Sequence, residues 1–177
     1  MTDLSHVKIP SLRSKVSTAE WQARVDLAAC YRLIAHFGMN DLIYNHATAR
    51  VPDAEGHFLI NAYGYAYEEV TASSLVKIDF DGKVVLDSGT GYGINQAGFV
   101  IHSAVHRGRQ DVGCVIHTHS THLVALTLGG VGTANDVVPP ITPYFVMKDG
   151  HVPLIAYRCP GDPAAADAVA PTLSAAH

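Results

Sequence analysis

Cysteine, tryptophan and charge are all scarce in this chain: 177 residues carry three cysteines, one tryptophan and only 16% charged side chains. Cys30, Cys114 and Cys159 are odd in number, far apart and set among apolar neighbours, which excludes a disulfide framework and leads us to expect reduced core thiols. Lys and Arg total 12 against 16 Asp and Glu, with no run of either sign, so the surface lacks the basic footprint that nucleic acid requires. No segment approaches the roughly 20 apolar residues of a membrane span. The opening MTDLSHVKIP lacks the charged-then-apolar order of a secretory signal, so a soluble, cytoplasmic protein is expected. Internal repeats are absent, and the glycines of Asp87 to Gly93 do not have the strand-to-helix spacing of a nucleotide-binding fingerprint.

What is present is enough apolar residue, 48%, for one well-filled domain. Residues 1–16 read as an N-terminal arm and 17–177 as the domain. Ser17-Thr18-Ala19-Glu20 resembles a capping box that opens a helix running to Gly38, with Trp21, Val25, Ala28 and Ala29 starting its buried face. Leu42 to Val51 and His57 to Asn61 have strand character around a Pro52–Gly56 turn, and Leu75–Phe80 and Lys83–Leu86 flank an Asp81-Gly82 turn. A helix follows from about Asn95 to Arg107. Val112–His117 is apolar on both faces, as in a central strand, and Ser120–Leu128 is helical again. Val152–Tyr157 reads as a further strand, and Asp162-Pro163 starts a last, alanine-rich helix. Intermixed elements with hairpins in the middle predict a layered α/β domain on a mixed, mainly antiparallel sheet.

His117-Thr118-His119 is the first pattern that bears chemistry. Side chains two apart on an extended segment share a face, so both imidazoles can converge on one ion. Neutral imidazole is a common ligand for zinc and its neighbours. With 11 histidines in the chain, chance alone supplies about 0.7 His-x-His pairs, so the tripeptide gains weight only from its context. It ends an apolar strand and precedes a helix, where loops leave a sheet and sites are commonly built.

That context is specific. Arg109 to Ser120 resembles the strand that delivers two metal ligands in the class II aldolase/adducin family, and Asn45-His46-Ala47-Thr48-Ala49-Arg50 is similar to its substrate-side strand. Phe58–Gly64, Thr71–Asp79 and Asn95–His102 resemble further family segments in the same order. The resemblance covers roughly residues 17–177. It implies a three-layer α/β/α sandwich, a divalent metal, most simply zinc, held by His117 and His119, and a small-molecule substrate. It also implies a homo-oligomer, a tetramer by analogy, without nucleic acid or membrane partners. The implied reaction is C–C bond cleavage, by retro-aldol or decarboxylation, of a small hydroxy or keto acid or a sugar-derived substrate. A Lewis-acidic ion would stabilise the enediolate common to both. Substrate-side positions fall at Asn45, His46, Thr48, Asn95 and Gln96, with Tyr63 and Gly64 nearby; Arg50 could meet a carboxylate.

Two positions depart from the family pattern. Where sugar-phosphate aldolases carry a catalytic Glu, four residues before His102, this chain has Gly98. Proton transfer would then fall to His102, ahead of Gln96, Glu69, His106 or water. The third metal-binding His of an Asn-His-Gly segment has no counterpart, which leads us to expect a domain truncated at its C-terminus. These departures keep a second function open: a non-catalytic, adducin-like assembly module.

Overall fold

The structure is a computed structural model that describes residues 9–129 and 163–175. Five strands, β1 (His46–Arg50), β2 (His57–Asn61), β3 (Leu75–Asp79), β4 (Val84–Leu86) and β5 (Cys114–His117), form one sheet in the order β4-β3-β2-β1-β5. Every described pairing is antiparallel. The helices are α1 (Thr18–His36), α2 (Gln96–Gly108), α3 (Thr121–Leu128) and α4 (Pro163–Ala175). Alternation along β1 divides the two faces of the sheet. His46 and Thr48 bond side chains of α2, whereas the backbone of Ala47 meets Tyr31 of α1. The sheet is therefore sandwiched between α1 and α2, and α4 packs against α2. The expected α/β/α architecture is the one observed.

Ser17 caps α1, its Oγ accepting from the Glu20 N–H at 3.0 Å. Beyond the helix end, Gly38 takes φ 63°, a left-handed stop suited to glycine. The reciprocal half of the expected capping box does not form. Glu20 instead binds Arg24 Nε at 2.9 Å and Lys77 Nζ at 2.8 Å, and Arg24 Nη1 donates to the Leu75 carbonyl at 2.8 Å. This ion pair lies on the buried stripe Glu20, Arg24, Leu27, Tyr31, Ile34, whose spacing of four and three is that of one helix face. The face expected from apolarity alone is displaced by about one position: Ala28 is buried, but Trp21 is only half-buried and Val25 and Ala29 are exposed. The later half of α1 is likewise buried on one side only, with Leu33 and Phe37 exposed.

The core joins Leu27, Tyr31 and Ile34 of α1 to Phe58, Leu59, Ile60, Leu75, Val76 and Ile78 of the sheet. Tyr31 is its pivot, donating to the Ala47 carbonyl and accepting from the Ala47 N–H at 2.9 Å. Part of the expected arm is described, and it lies against the domain: Leu12 is buried and its N–H donates to Ser73 Oγ at 3.2 Å.

Two expectations require correction here. β1 begins at His46 rather than Leu42, because Leu42 has φ 50° and breaks the extension. The thiols are not fully buried: Cys114 is exposed, and Cys30 is half-buried against the core. Burial still raises both thiol pKa values, that of Cys114 to about 11, which keeps them protonated and unreactive at neutral pH. Cys159 lies outside the described residues. β5 stands last in the order of the described strands, and the further strand expected at Val152–Tyr157 lies outside them. No described helix is long and apolar enough to cross a membrane.

Candidate metal centre and histidine cluster

Register brings the histidines together. In the β1–β5 ladder His46 stands directly opposite His117, and their ring centroids are 4.9 Å apart. The His117 and His119 rings are also 4.9 Å apart, so the two-residue spacing does place both imidazoles on one side. His119 is held at two points: its backbone N–H donates to the Met39 carbonyl at 3.2 Å, and its Nδ1 lies 2.9 Å from Asp41 Oδ2.

The donor chemistry of this pair fits a divalent ion. Burial, and then the neighbouring His119, lowers the His117 pKa to about 4, so its imidazole is neutral at pH 7. His117 Nδ1 is buried and has no hydrogen-bond partner among the described residues. Nδ1 of His119 is occupied by Asp41, which leaves Nε2 as the free donor. Among the described residues, no three His, Cys, Asp or Glu side chains form a complete ligand set, so this pair supplies two donors and no third.

Behind the pair, on the α2 side, runs a closed hydrogen-bonded chain. His46 Nδ1 meets His102 Nε2 at 3.0 Å, His102 Nδ1 meets Thr48 Oγ1 at 2.8 Å, and Thr48 Oγ1 meets His106 Nε2 at 2.9 Å. All four side chains are buried. Neutral imidazoles satisfy this chain with one proton per contact, Thr48 donating to one ring and accepting from the other. Burial acts in that direction, taking His46 to about 3 and His106 to about 4, and holding His102 well below its ordinary value. For His46 and His102 the neighbouring histidines add to the effect, and for His106 the Arg50 guanidinium does.

Several residues expected to face a substrate are committed elsewhere. His102 has both ring nitrogens engaged and no free edge. Asn45 is buried, with its Oδ1 accepting from the Asp41 N–H at 2.9 Å and its Nδ2 donating to the Met39 carbonyl at 3.4 Å. Asn95 caps α2, its Oδ1 accepting from the N–H groups of Ala97 at 3.0 Å and Gly98 at 3.2 Å. Among the described residues Arg50 meets no carboxylate; it donates to the Val112 and Arg109 carbonyls at 2.8 and 2.9 Å and to the His106 carbonyl, closing the C-terminal end of α2. Gln96, Tyr63 and Gly64 are exposed.

Gly98 gains a structural explanation. A Cβ at this position would lie 2.2 Å from His46 Cδ2 and 2.5 Å from Nε2. The His46 ring thus occupies the space into which a side chain at residue 98 would project, and the two positions are complementary. Sequence reasoning missed Asp41, which had no signal, being 78 residues from the ring it contacts. His106, weighed only as a proton carrier behind His102, instead ends the buried chain, at i,i+4 from His102 on α2.

An α/β/α sandwich with paired histidines leaving a sheet strand defines a class of metal-dependent enzymes and their relatives. The chain belongs to the class II aldolase/adducin family: the model of the class II aldolase and adducin N-terminal domain matches residues 25–177. A solved aldolase II superfamily protein from Pseudomonas syringae is 52% identical, with TM-score 0.64, covering 67% of this chain and 47% of that one. A 3-oxo-tetronate 4-phosphate decarboxylase of Cupriavidus necator is 58% identical over 76 residues, 43% of this chain and 35% of that protein. Mouse alpha-adducin is 52% identical over 97 residues, 55% of this chain and 13% of adducin. The chain spans less than half the length of the curated putative class 2 aldolase proteins it matches, 45% and 44%.

Proposed function

We propose that this chain carries the metal-binding part of a divalent-metal-dependent lyase that cleaves a C–C bond in a small hydroxy or keto acid or a sugar-derived substrate. The observation that carries the reading is the adjacent pair His117 and His119, one with a buried nitrogen unpartnered among the described residues and the other with Nδ1 taken by Asp41. A divalent ion, zinc being the simplest choice, would supply Lewis-acid polarisation of a carbonyl. His117 and His119 would hold it, with the third donor coming from outside the described residues or from another subunit of a homo-oligomer. His46 borders this pair, and His102 fixes the His46 ring from behind, so we assign His102 a positioning role rather than contact with substrate. The name of the Cupriavidus relative supports a keto acid bearing a phosphate as a first substrate to try.

The test is elemental analysis of the purified protein, followed by an assay of carbon dioxide or aldehyde release from small 3-keto acids and sugar phosphates. About one divalent ion per chain and a cleavage activity removed by His117→Ala are expected. A protein that neither carries nor takes up a divalent ion overturns the reading. The second reading, a non-catalytic assembly module, draws support from Gly98, where no acid or base can stand, and from the adducin match. It expects oligomers without turnover.

A further inference from the structure

We infer that Asp41 is a positioning residue for His119, fixing the tautomer and aim of this imidazole so that Nε2 faces the ion. The inference rests on the metal reading above and concerns a residue that forms no part of the His-x-His pattern. A carboxylate oxygen accepts a hydrogen bond, so the 2.9 Å contact of Asp41 Oδ2 with His119 Nδ1 places an N–H at Nδ1. The lone pair is then on Nε2. A carboxylate behind a histidine also raises the basicity of the ligating nitrogen and restricts rotation of the ring.

The backbone around Asp41 is built to keep it in place. The Met39 carbonyl accepts from both the His119 N–H at 3.2 Å and Asn45 Nδ2 at 3.4 Å, tying the turn to the strand exit that carries His119. Asn45 Oδ1 accepts from the Asp41 N–H at 2.9 Å, and the Tyr44 N–H donates to the Asp41 carbonyl at 2.9 Å. Asn95 Nδ2, at the cap of α2, donates to the Ile43 carbonyl at 3.4 Å. Leu42, the next residue, has φ 50°, an unusual conformation for a branched side chain. The turn that breaks the start of β1 is thus the one that delivers a carboxylate to His119. Asn45 and Asn95, expected at the substrate, both hold this turn.

The experiment compares the full wild-type chain with Asp41→Ala and Asp41→Asn, using Zn²⁺ and Co²⁺ titrated against a competing chelator. Nitrogen NMR of the metal-free histidines reports which ring nitrogen of His119 is protonated. Asp41→Ala is expected to weaken binding roughly 10–100-fold and to release His119 into a mixture of tautomers. Asp41→Asn, which keeps an acceptor oxygen without the charge, should lose less affinity and retain the Nδ1–H form, and melting curves of all three confirm a folded chain. Wild-type and Asp41→Ala proteins with the same affinity and the same His119 tautomer would overturn the assignment. Wild-type protein that binds no ion, while Asp41 still sets the tautomer, would overturn the metal reading on which the assignment depends.

Discussion

At the scale of single residues, the pair His46 and Gly98 decides how this site differs from a sugar-phosphate aldolase. Four residues of sequence separate Gly98 from His102, and comparing that interval with the family pattern reveals the missing acid. It does not reveal the cause, which is an imidazole contributed from 52 positions earlier. The ring of His46 cannot simply move aside, because His102 holds its Nδ1 and the buried surroundings leave little room. Gly98→Ala is therefore expected to destabilise the protein by about 1–3 kcal/mol, the usual cost of overpacking. His46→Ala should remove most of that penalty, so that the double variant is markedly more stable than the sum of the single effects. Chemical denaturation of the four proteins measures the coupling, and strict additivity would show that the two positions do not compete for space.

At the scale of elements, hydrophobic pattern and turn residues were sufficient to locate most of the strands and helices. β2 spans His57–Asn61 as expected, and Ser17 and Gly38 bound α1 for the anticipated reasons. The orientation of α1 was not legible, because its buried stripe begins with two charged residues that a search for apolar faces passes over. Glu20 and Arg24 can be buried because each is satisfied by the other and by the β3 strand through Lys77 and the Leu75 carbonyl. Glu20→Ala removes one partner and leaves the Arg24 guanidinium buried with only carbonyl contacts. A loss of about 3–5 kcal/mol is expected, read as a shift in the denaturation midpoint without a change in slope. Glu20→Gln, which retains the shape and one acceptor, should cost less. A loss below 1 kcal/mol for Glu20→Ala would mean that the pair contributes little to docking α1 on the sheet. The site was legible to the extent that it lies within one element, as with His117 and His119. It was not legible where it depends on register, as with His46 beside His117, or on a turn packed against a strand exit, as with Asp41.

At the scale of the whole molecule, the buried histidines make folding sensitive to mild acid. His46, His102, His106 and His117 are all pushed below the ordinary imidazole value of 6.5 by burial first, to about 3, well below 6.5, about 4 and about 4. In the unfolded chain each would titrate near 6.5. Below that pH the unfolded state binds protons that the folded state refuses, so stability increases with pH across this range. The contribution of these groups is fully present above pH 6.5 and is lost as pH falls from 6.5 toward 4. Each group contributes a slope approaching about 1.4 kcal/mol per pH unit within that window. Four such groups together can remove a typical net stability of about 5–15 kcal/mol before most carboxylates are protonated. Urea denaturation of metal-free protein at pH 7.0, 6.0, 5.5 and 5.0 should therefore show a steep, monotonic fall in stability. Added divalent ion should move the fall to lower pH, because an ion held by neutral imidazoles stabilises only the folded state. A metal-free midpoint that stays flat between pH 7 and 5 would show that the buried histidines accommodate protons in the folded protein, contrary to their lowered pKa values.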